Sequence, residues 1–103
     1  MNGDPPVVLT VAGSDPSGGA GIQGDLKTIH ALGGYGAAVP ALLTAQNTRG
    51  VAKVELLGAD LVRAQLANLL EDISPRAAKT GALGSEPVVH VLGSVMAETD
   101  FPW

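Results

Sequence analysis

The sequence contains no cysteine and few aromatic or basic residues, and each shortage excludes a class of function. Without cysteine, the chain can form no disulfide, no thiolate metal site and no cysteine nucleophile. Aromatic residues make up 3% of the chain, which is too few for base-stacking platforms or aromatic cages. The 6 lysines and arginines are outnumbered by 10 aspartates and glutamates, so the formal net charge is −4. This balance argues against nucleic acid as a partner, because nucleic-acid-binding proteins carry basic patches that match phosphates.

Long hydrophobic runs are also missing. A helix that spans a bilayer needs about 20 mostly apolar residues, and the apolar stretch at residues 37–43 is far shorter. Residues 4–6 place an acid and two prolines where a signal peptide would be basic. We therefore expect no membrane partner and a cytoplasmic location.

Glycine, in contrast, is abundant, with 14 residues that are mostly clustered. The glycine-rich segment at residues 13–21 follows a predicted strand at 7–12 and precedes a predicted helix. The apolar face of that helix is formed by Ile22, Leu26, Ile29 and Leu32. Clustered glycines allow close backbone approach, and helix N-termini favour anions or polar atoms, so we expect this loop to contact a ligand. The alternative is a tight turn without a ligand.

Further strands are predicted at residues 37–45, 51–57 and 77–80. The first is apolar at consecutive positions, as expected of a strand that is buried on both faces. Pro40 within it belongs at a sheet edge or a bulge, because proline cannot donate to the ladder. Strands that alternate with helices predict a layered α/β fold with a mostly parallel sheet.

Two more helices are predicted after the second and third of these strands. One begins at Asp60 as its N-cap, and its apolar stripe consists of Leu61, Val62, Leu66, Leu69, Leu70 and Ile73. The other is capped by Ser85, carries Pro87 in its first turn and ends near Thr99. Its inner face is formed by Val88, Val91, Leu92 and Val95. Residues 100–103 resemble the start of another strand.

The predicted strands and helices leave apolar surface uncovered, although a parallel sheet is normally covered on both faces. We therefore expect residues 1–103 to be the N-terminal part of one longer α/β domain.

Polar residues near the predicted strand ends are candidates for ligand contact. Asp25 either interacts favourably with the helix dipole or accepts hydrogen bonds from a ligand hydroxyl or amine. Gln46 and Asn47 either read the edge of a ligand through their amides or form a turn. Lys27 and Lys79 either offset phosphate charge or are solvated. The two histidines lack metal-ligand spacing, so we expect no metal ligands in this chain.

Four segments extend this interpretation to a known family. Residues 9–28 read LTVAGSDPSGGAGIQGDLKT, residues 31–36 read ALGGYG, and residues 41–51 read ALLTAQNTRGV. In that order and spacing they closely resemble the opening of the hydroxymethylpyrimidine/phosphomethylpyrimidine kinases of thiamine biosynthesis. Residues 78–84, AKTGALG, match more loosely. The resemblance covers nearly the whole chain.

The resemblance implies a ribokinase-like three-layer α/β/α fold, present here in part. It also implies transfer of the γ-phosphoryl group of ATP, with Mg²⁺, to 4-amino-5-hydroxymethyl-2-methylpyrimidine and then to its monophosphate. By position, Gly13, Asp25 and Gln46 match pyrimidine-contacting residues of the family. Gln46 would pair with the amino and nitrogen edge of the ring, and Asp25 would hold the hydroxymethyl or amino side. The resemblance further implies a homodimer for the full-length protein.

The sequence departs from the family in two respects. Ala82 stands where the family usually has a methionine that packs on the pyrimidine ring, so we expect looser packing or an altered substrate. The later half of the family, which supplies a Gly-Thr-Gly-Cys anion hole, the catalytic base and most of the ATP and Mg²⁺ site, has no counterpart in this chain. We therefore expect this chain to carry the pyrimidine-binding side only and, alone, to be inactive.

Two alternatives to the pyrimidine kinase remain open at this point. The first is a non-catalytic remnant that binds a small pyrimidine or a partner chain. The second is a related vitamin kinase that acts on pyridoxal-type substrates, because Gln46 by itself does not distinguish the two substrate classes.

Overall fold

The computed structural model describes residues 3–103, which form one four-stranded sheet and three helices. In chain order the elements are β1 (Val7–Gly13), α1 (Gly21–Ala31), β2 (Tyr35–Asn47), β3 (Gly50–Leu56), α2 (Ala59–Asp72), β4 (Ala77–Thr80) and α3 (Glu86–Glu98). The strand order is β3-β2-β1-β4. Both β2 and β4 run parallel to β1, whereas β3 is antiparallel to β2. The predicted α/β class with a mostly parallel sheet is confirmed.

Helices cover both faces of the sheet and create three layers. Thr10 faces α1, because its hydroxyl donates to Asp25 of that helix at 2.6 Å. Its neighbours Leu9 and Val11 point to the opposite face, since side chains alternate along a strand. Both are fully buried in a core that α2 and α3 complete.

The strand β2 is longer and less buried than predicted. Val39 and Leu42 are buried, but Leu43 is 45% exposed, so burial on both faces is wrong for the second half of the strand. The reason is that β2 extends beyond β1 and there pairs only with β3. Pro40 lies at a bulge, as predicted, because Ala12 pairs with Pro40 and Gly13 with Leu42.

The strand β3 forms a hairpin with β2, and all of its residues are exposed. The turn between the two strands is closed by Asn47, whose carboxamide oxygen accepts from the Arg49 backbone N–H at 2.8 Å. This contact matches the turn alternative that the sequence left open for Asn47.

The predicted helices form, but three details differ from the prediction. Leu32 is the C-cap of α1 and is 83% exposed, so it does not belong to the apolar face of that helix. Gly58, not Asp60, is the N-cap of α2, and Asp60 lies in the first turn. The Gly58 carbonyl already accepts from the backbone N–H of Leu61 and of Val62, which moves the helix start two residues earlier. Leu61 is also 52% exposed and does not belong to the buried stripe.

Two residues of the stripe, Val62 and Leu66, are fully buried. Burial of each such side chain contributes about 1.5–3 kcal/mol to folding. The capping prediction for α3 is confirmed, because the Ser85 hydroxyl accepts from the Val88 backbone N–H. Within the described part of the chain, no helix is long and apolar enough to cross a membrane.

The segment that follows α3 returns to the sheet beside β4. The Ala78 backbone N–H donates to the Pro102 carbonyl at 2.9 Å. Phe101 and Trp103 stack with ring centroids 5.6 Å apart and pack against the core. Residues 100–103 therefore lie along β4, where the sequence predicts the start of another strand.

Candidate functional site

A cleft of about 210 Å³ opens where β1, β2 and β4 end. The carboxyl ends of the parallel strands β1 and β4 meet there, which is where ligands bind in open α/β sheets. Its lining residues are Ala12, Gly13, Ser14, Asp15, Ala20, Gly21, Leu42, Thr44, Gln46, Lys79, Gly81 and Ala82.

A larger groove of about 390 Å³ lies between the ends of α2 and α3. Leu70, Ile73, Val95 and Phe101 are part of its wall, and none of the predicted ligand-binding residues lies there. Because convergent polar groups mark a binding site better than volume does, the smaller cleft is the candidate site.

The glycine-rich loop is organised around the buried side chain of Asp15. One carboxylate oxygen accepts from the Ser17 backbone N–H at 2.9 Å and from the Ser17 hydroxyl at 2.6 Å. The other oxygen accepts from the Ala20 backbone N–H at 2.9 Å. The hydrogen bond from the Ser17 hydroxyl lowers the pKa of Asp15, burial opposes it, and the backbone donors add to the lowering. The loop is thus held in one shape by an ionised carboxylate.

Gly21 starts α1 at a point where a side chain does not fit. Its φ is +59°, and a Cβ atom there would lie 2.2 Å from the Gly13 carbonyl oxygen. This contact brings the helix start against the end of β1, and both glycines line the cleft.

Two polar side chains tie this loop to α1. The Gln23 carboxamide oxygen accepts from the Asp15 backbone N–H at 2.7 Å. Its amide nitrogen donates to the Ser14 hydroxyl at 2.7 Å. The Ser14 backbone N–H in turn donates to the Leu42 carbonyl on β2 at 2.9 Å. The floor of the cleft is therefore cross-linked between two strands and a helix.

On β2, Thr44 and Gln46 share the face that borders the cleft, because they are two residues apart. The Thr44 hydroxyl lies 2.8 Å from the Ser14 carbonyl oxygen and 3.0 Å from the Gln46 carboxamide oxygen. The sequence analysis did not single out Gln23 or Thr44, and it included Ser14 only as part of the glycine-rich segment at residues 13–21. Only the period-2 spacing from Gln46 could have indicated Thr44, whereas the role of Gln23 depends on contacts between separate elements.

Asp25 is held beside the cleft rather than in its lining. One carboxylate oxygen accepts from the Thr10 hydroxyl at 2.6 Å and from the Lys79 ammonium at 2.9 Å. Burial raises the pKa of Asp25, but the hydrogen bonds from Thr10 and Lys79 and the charge of Lys79 outweigh it, and the net effect is a lowered pKa. Lys79 itself lines the cleft, so it links Asp25 to the ligand-sized space.

The two lysines considered as phosphate partners make contacts within the protein. Lys27 donates to the Gly18 carbonyl at 3.0 Å and so steadies the glycine-rich loop. Lys79 forms an ion pair with Asp25 while its side chain stays 46% exposed. Among residues 3–103, no group of three or more histidine, aspartate or glutamate residues could hold a metal ion.

Of the four predicted pyrimidine-binding residues, the structure brings Gly13, Gln46 and Ala82 into one cleft. The fourth, Asp25, reaches it through Lys79. Ala82 is exposed at the rim and offers only a methyl group as packing surface. Their role in binding stays a prediction.

Comparison with known proteins agrees with this arrangement. The family model of phosphomethylpyrimidine kinase matches residues 15–103. The hydroxymethylpyrimidine/phosphomethylpyrimidine kinase of Streptomyces coelicolor is 51% identical over 98 residues, which cover 95% of this chain and 36% of that protein. The crystal structure of phosphomethylpyrimidine kinase from Clostridium difficile superimposes with a TM-score of 0.86 at 45% identity, over 90% of this chain and 40% of that one.

A second kind of kinase is also similar. The structure of pyridoxal kinase from Staphylococcus aureus in complex with AMP-PCP and pyridoxal has a TM-score of 0.84 at 37% identity. It covers 96% of this chain and 37% of that one. Together these similarities confirm the predicted ribokinase-like fold.

The chain spans about a third of the length of the curated relatives it matches. Its strand–loop–helix order, its cleft at the strand ends and the match over residues 15–103 agree with one another. The chain belongs to the phosphomethylpyrimidine kinase family.

Proposed function

We propose that the protein carrying this chain transfers the γ-phosphoryl group of ATP to 4-amino-5-hydroxymethyl-2-methylpyrimidine and to its monophosphate. In this proposal residues 1–103 are the N-terminal, pyrimidine-binding part of a single kinase domain. The observation that carries it is the cleft, which unites Gly13, Gln46 and Ala82 in a chain of this family.

The chemistry of the cleft suits an aminopyrimidine. The carboxamide of Gln46 offers an acceptor and a donor side by side, as the amino and ring-nitrogen edge of the pyrimidine requires. Gly13 lines the cleft, and the Leu42 side chain fills the position where a side chain of residue 13 would lie. The ionised carboxylate of Asp25 lies beside the cleft and is paired with Lys79. A hydroxymethyl or amino group of the ligand that extends past Lys79 can donate a hydrogen bond to it.

The phosphoryl donor is proposed from the relatives, since pyridoxal kinase from Staphylococcus aureus was solved with AMP-PCP and with ADP. The described residues offer no cluster of metal ligands, so we place the Mg²⁺ site mostly outside residues 1–103. We place the catalytic residues and most of the nucleotide site outside residues 1–103.

We also propose that the full-length protein is a homodimer in the cytoplasm. The exposed apolar side chains of the β2–β3 hairpin, among them Leu43, Val51 and Val54, support self-association. Sedimentation velocity of the protein as its own gene encodes it tests this point, and a single monomeric species at all concentrations would contradict it.

The decisive experiment uses the protein as its own gene encodes it, with ATP, Mg²⁺ and the hydroxymethylpyrimidine. We expect substrate-dependent ADP release and a new phosphate-ester signal in the ³¹P NMR spectrum. The variant Gln46→Leu should raise KM strongly, whereas Gln65→Leu, on α2 and away from the cleft, should not. Equal activity with and without the pyrimidine would overturn the proposal.

A pyridoxal-type kinase is the second candidate, and one observation favours it. The similarity to pyridoxal kinase extends over 96% of this chain, and Ala82 leaves the rim of the cleft open to a differently substituted ring. The ratio of kcat/KM values for pyridoxal and for the hydroxymethylpyrimidine separates the two candidates.

A non-catalytic protein that binds a small pyrimidine or a partner chain is the third candidate. Binding of the pyrimidine without turnover, or activity only after a second polypeptide is added, would favour this candidate.

A further inference from the structure

The hydroxyl of Thr44 contacts two oxygen atoms but has one proton to donate. The Ser14 carbonyl oxygen lies 2.8 Å away and the Gln46 carboxamide oxygen 3.0 Å away. A carbonyl oxygen can only accept, so Thr44 cannot donate to both with full strength. One of the two contacts needs a different donor.

The Gln46 carboxamide can supply that donor by a half-turn. Its oxygen and nitrogen ends have nearly the same shape, and the hydrogen-bond network decides which end points where. The Ser14 carbonyl has no such freedom. Both contacts become hydrogen bonds only when Thr44 donates to Ser14 and the Gln46 NH₂ group donates to Thr44.

The surroundings of Thr44 hold this arrangement in place. The Ser14 backbone N–H is bonded to Leu42, and the Ser14 hydroxyl accepts from Gln23. The orientation of the Gln23 carboxamide is unambiguous, because its oxygen accepts from the backbone N–H of Asp15. Thr44 is β-branched and lies in a paired strand opposite Val54, which restricts its χ1 angle.

We propose that Thr44 is a positioning residue that selects the substrate by turning the carboxamide oxygen of Gln46 toward the cleft. One hydrogen of the Gln46 NH₂ group then bonds to Thr44, and the second points at the ligand edge. The site thus presents an acceptor beside a donor and favours a ring with an amino group next to a ring nitrogen. The ligand part of this inference rests on the proposed function.

The selectivity test compares two ligands, 4-amino-5-hydroxymethyl-2-methylpyrimidine and its 4-oxo analogue, which offers a ring N–H and a carbonyl in the reverse pattern. Dissociation constants are measured by calorimetry on the protein as its own gene encodes it. In Thr44→Val the preference for the amino compound should fall by about tenfold, because the net contribution of one hydrogen bond changes an equilibrium constant by roughly that factor. Thr44→Ser, which keeps the hydroxyl group, should retain the preference of the wild-type protein.

The control variant is Thr28→Val, which makes the same chemical change on α1, where the Thr28 hydroxyl bonds only to the Gly24 carbonyl of its own helix. It should leave the preference unchanged. If Thr44→Val weakens both ligands by the same factor, the residue has only a structural role and the inference is overturned.

A second measurement addresses the orientation without any ligand. In the NMR spectrum of the wild-type protein, one Gln46 side-chain NH proton should show a cross-relaxation peak to the Thr44 methyl group. Absence of this peak overturns the inference. If the peak is present but neither pyrimidine binds, the proposed function fails while the orientation by Thr44 stands.

Discussion

The carboxylate of Asp15 is buried, yet three hydrogen bonds from Ser17 and Ala20 keep it ionised. Because these hydrogen bonds hold the loop, the stability of the loop depends on the ionisation of this one side chain and therefore on pH. Because its pKa is lowered in the folded state, Asp15 stabilises the fold above the ordinary value of 3.8. This stabilisation is lost as the pH falls below 3.8 and through the lowered folded-state pKa.

We expect Asp15→Asn to lower the melting temperature at neutral pH and to flatten the loss of stability below about pH 4. The asparagine retains one acceptor but cannot serve three donors with a full charge. Thermal melts from pH 2 to 7 test this, with the exposed Asp72→Asn as the control. An unchanged acid limb in Asp15→Asn would contradict this role.

Lys79 and Asp25 form an ion pair beside the cleft, with 2.9 Å between the ammonium nitrogen and the carboxylate oxygen. Lys79→Met should cost less than about 1 kcal/mol of stability, because the lysine is half exposed and such ion pairs are screened by solvent. Pyrimidine affinity should fall several-fold, since Asp25 then keeps only its bond to Thr10.

Urea denaturation and calorimetry measure the two effects of Lys79→Met separately. Lys53→Met, on the exposed strand β3, is the matched control and should change neither. A large loss of stability without a change in affinity would show that the pair is structural only.

At the scale of elements, the junction between β1 and α1 depends on Gly21. Gly21→Ala places a methyl group against the Gly13 carbonyl oxygen in a left-handed backbone conformation. We expect a loss of at least about 1–3 kcal/mol in the free energy of unfolding, together with loss of ligand binding. Chemical denaturation measures the first and calorimetry the second.

Gly93 in α3 provides the opposite case for the same substitution. Apart from its chain neighbours and the backbone of its own helix, no heavy atom lies within 4 Å of a Cβ placed there. Alanine also favours helix by about 0.5–1 kcal/mol relative to glycine. Gly93→Ala should therefore stabilise the protein slightly and leave binding intact. Equal effects of the two substitutions would refute the specific role of Gly21.

At the scale of the whole molecule, we expect exposed apolar side chains to dominate the behaviour in solution. Val51 is 54% exposed and Val54 49% exposed on the β2–β3 hairpin, and residues 3–103 leave both uncovered to this extent. We expect residues 1–103 produced alone to be marginally stable and to self-associate. A reversible, cooperative melt of a monomer at high temperature would contradict this expectation.

The double variant Val51→Thr/Val54→Thr should reduce self-association, because threonine keeps β propensity while it removes apolar surface. Sedimentation velocity at several concentrations measures the effect. Val89→Thr, at a similarly exposed site on α3, is the control and should change association little. If the control acts equally strongly, the hairpin is not the associating surface.

Much of this architecture could be predicted because it depends on local order along the chain. The strand at residues 7–12, the stripe of α2 and the Ser85 cap of α3 each follow from spacing or from one side chain next to its own backbone. The predicted start of α2 was wrong because Gly58, in an extended conformation, is the N-cap and the helix therefore begins before Asp60. The predicted burial of β2 on both faces was wrong because burial depends on which strand lies alongside each part of β2.

The sequence by itself determined the α/β class, the family and three of the residues that line the cleft, because these depend on patterns and motifs that are contiguous in the chain. Only the tertiary structure decided that Asp25 pairs with Lys79 and that Thr44 lies between Ser14 and Gln46. Hydrogen bonds and ion pairs act over about 3 Å. Such distances between residues 30 or 54 positions apart arise only when the sheet and its helices have packed.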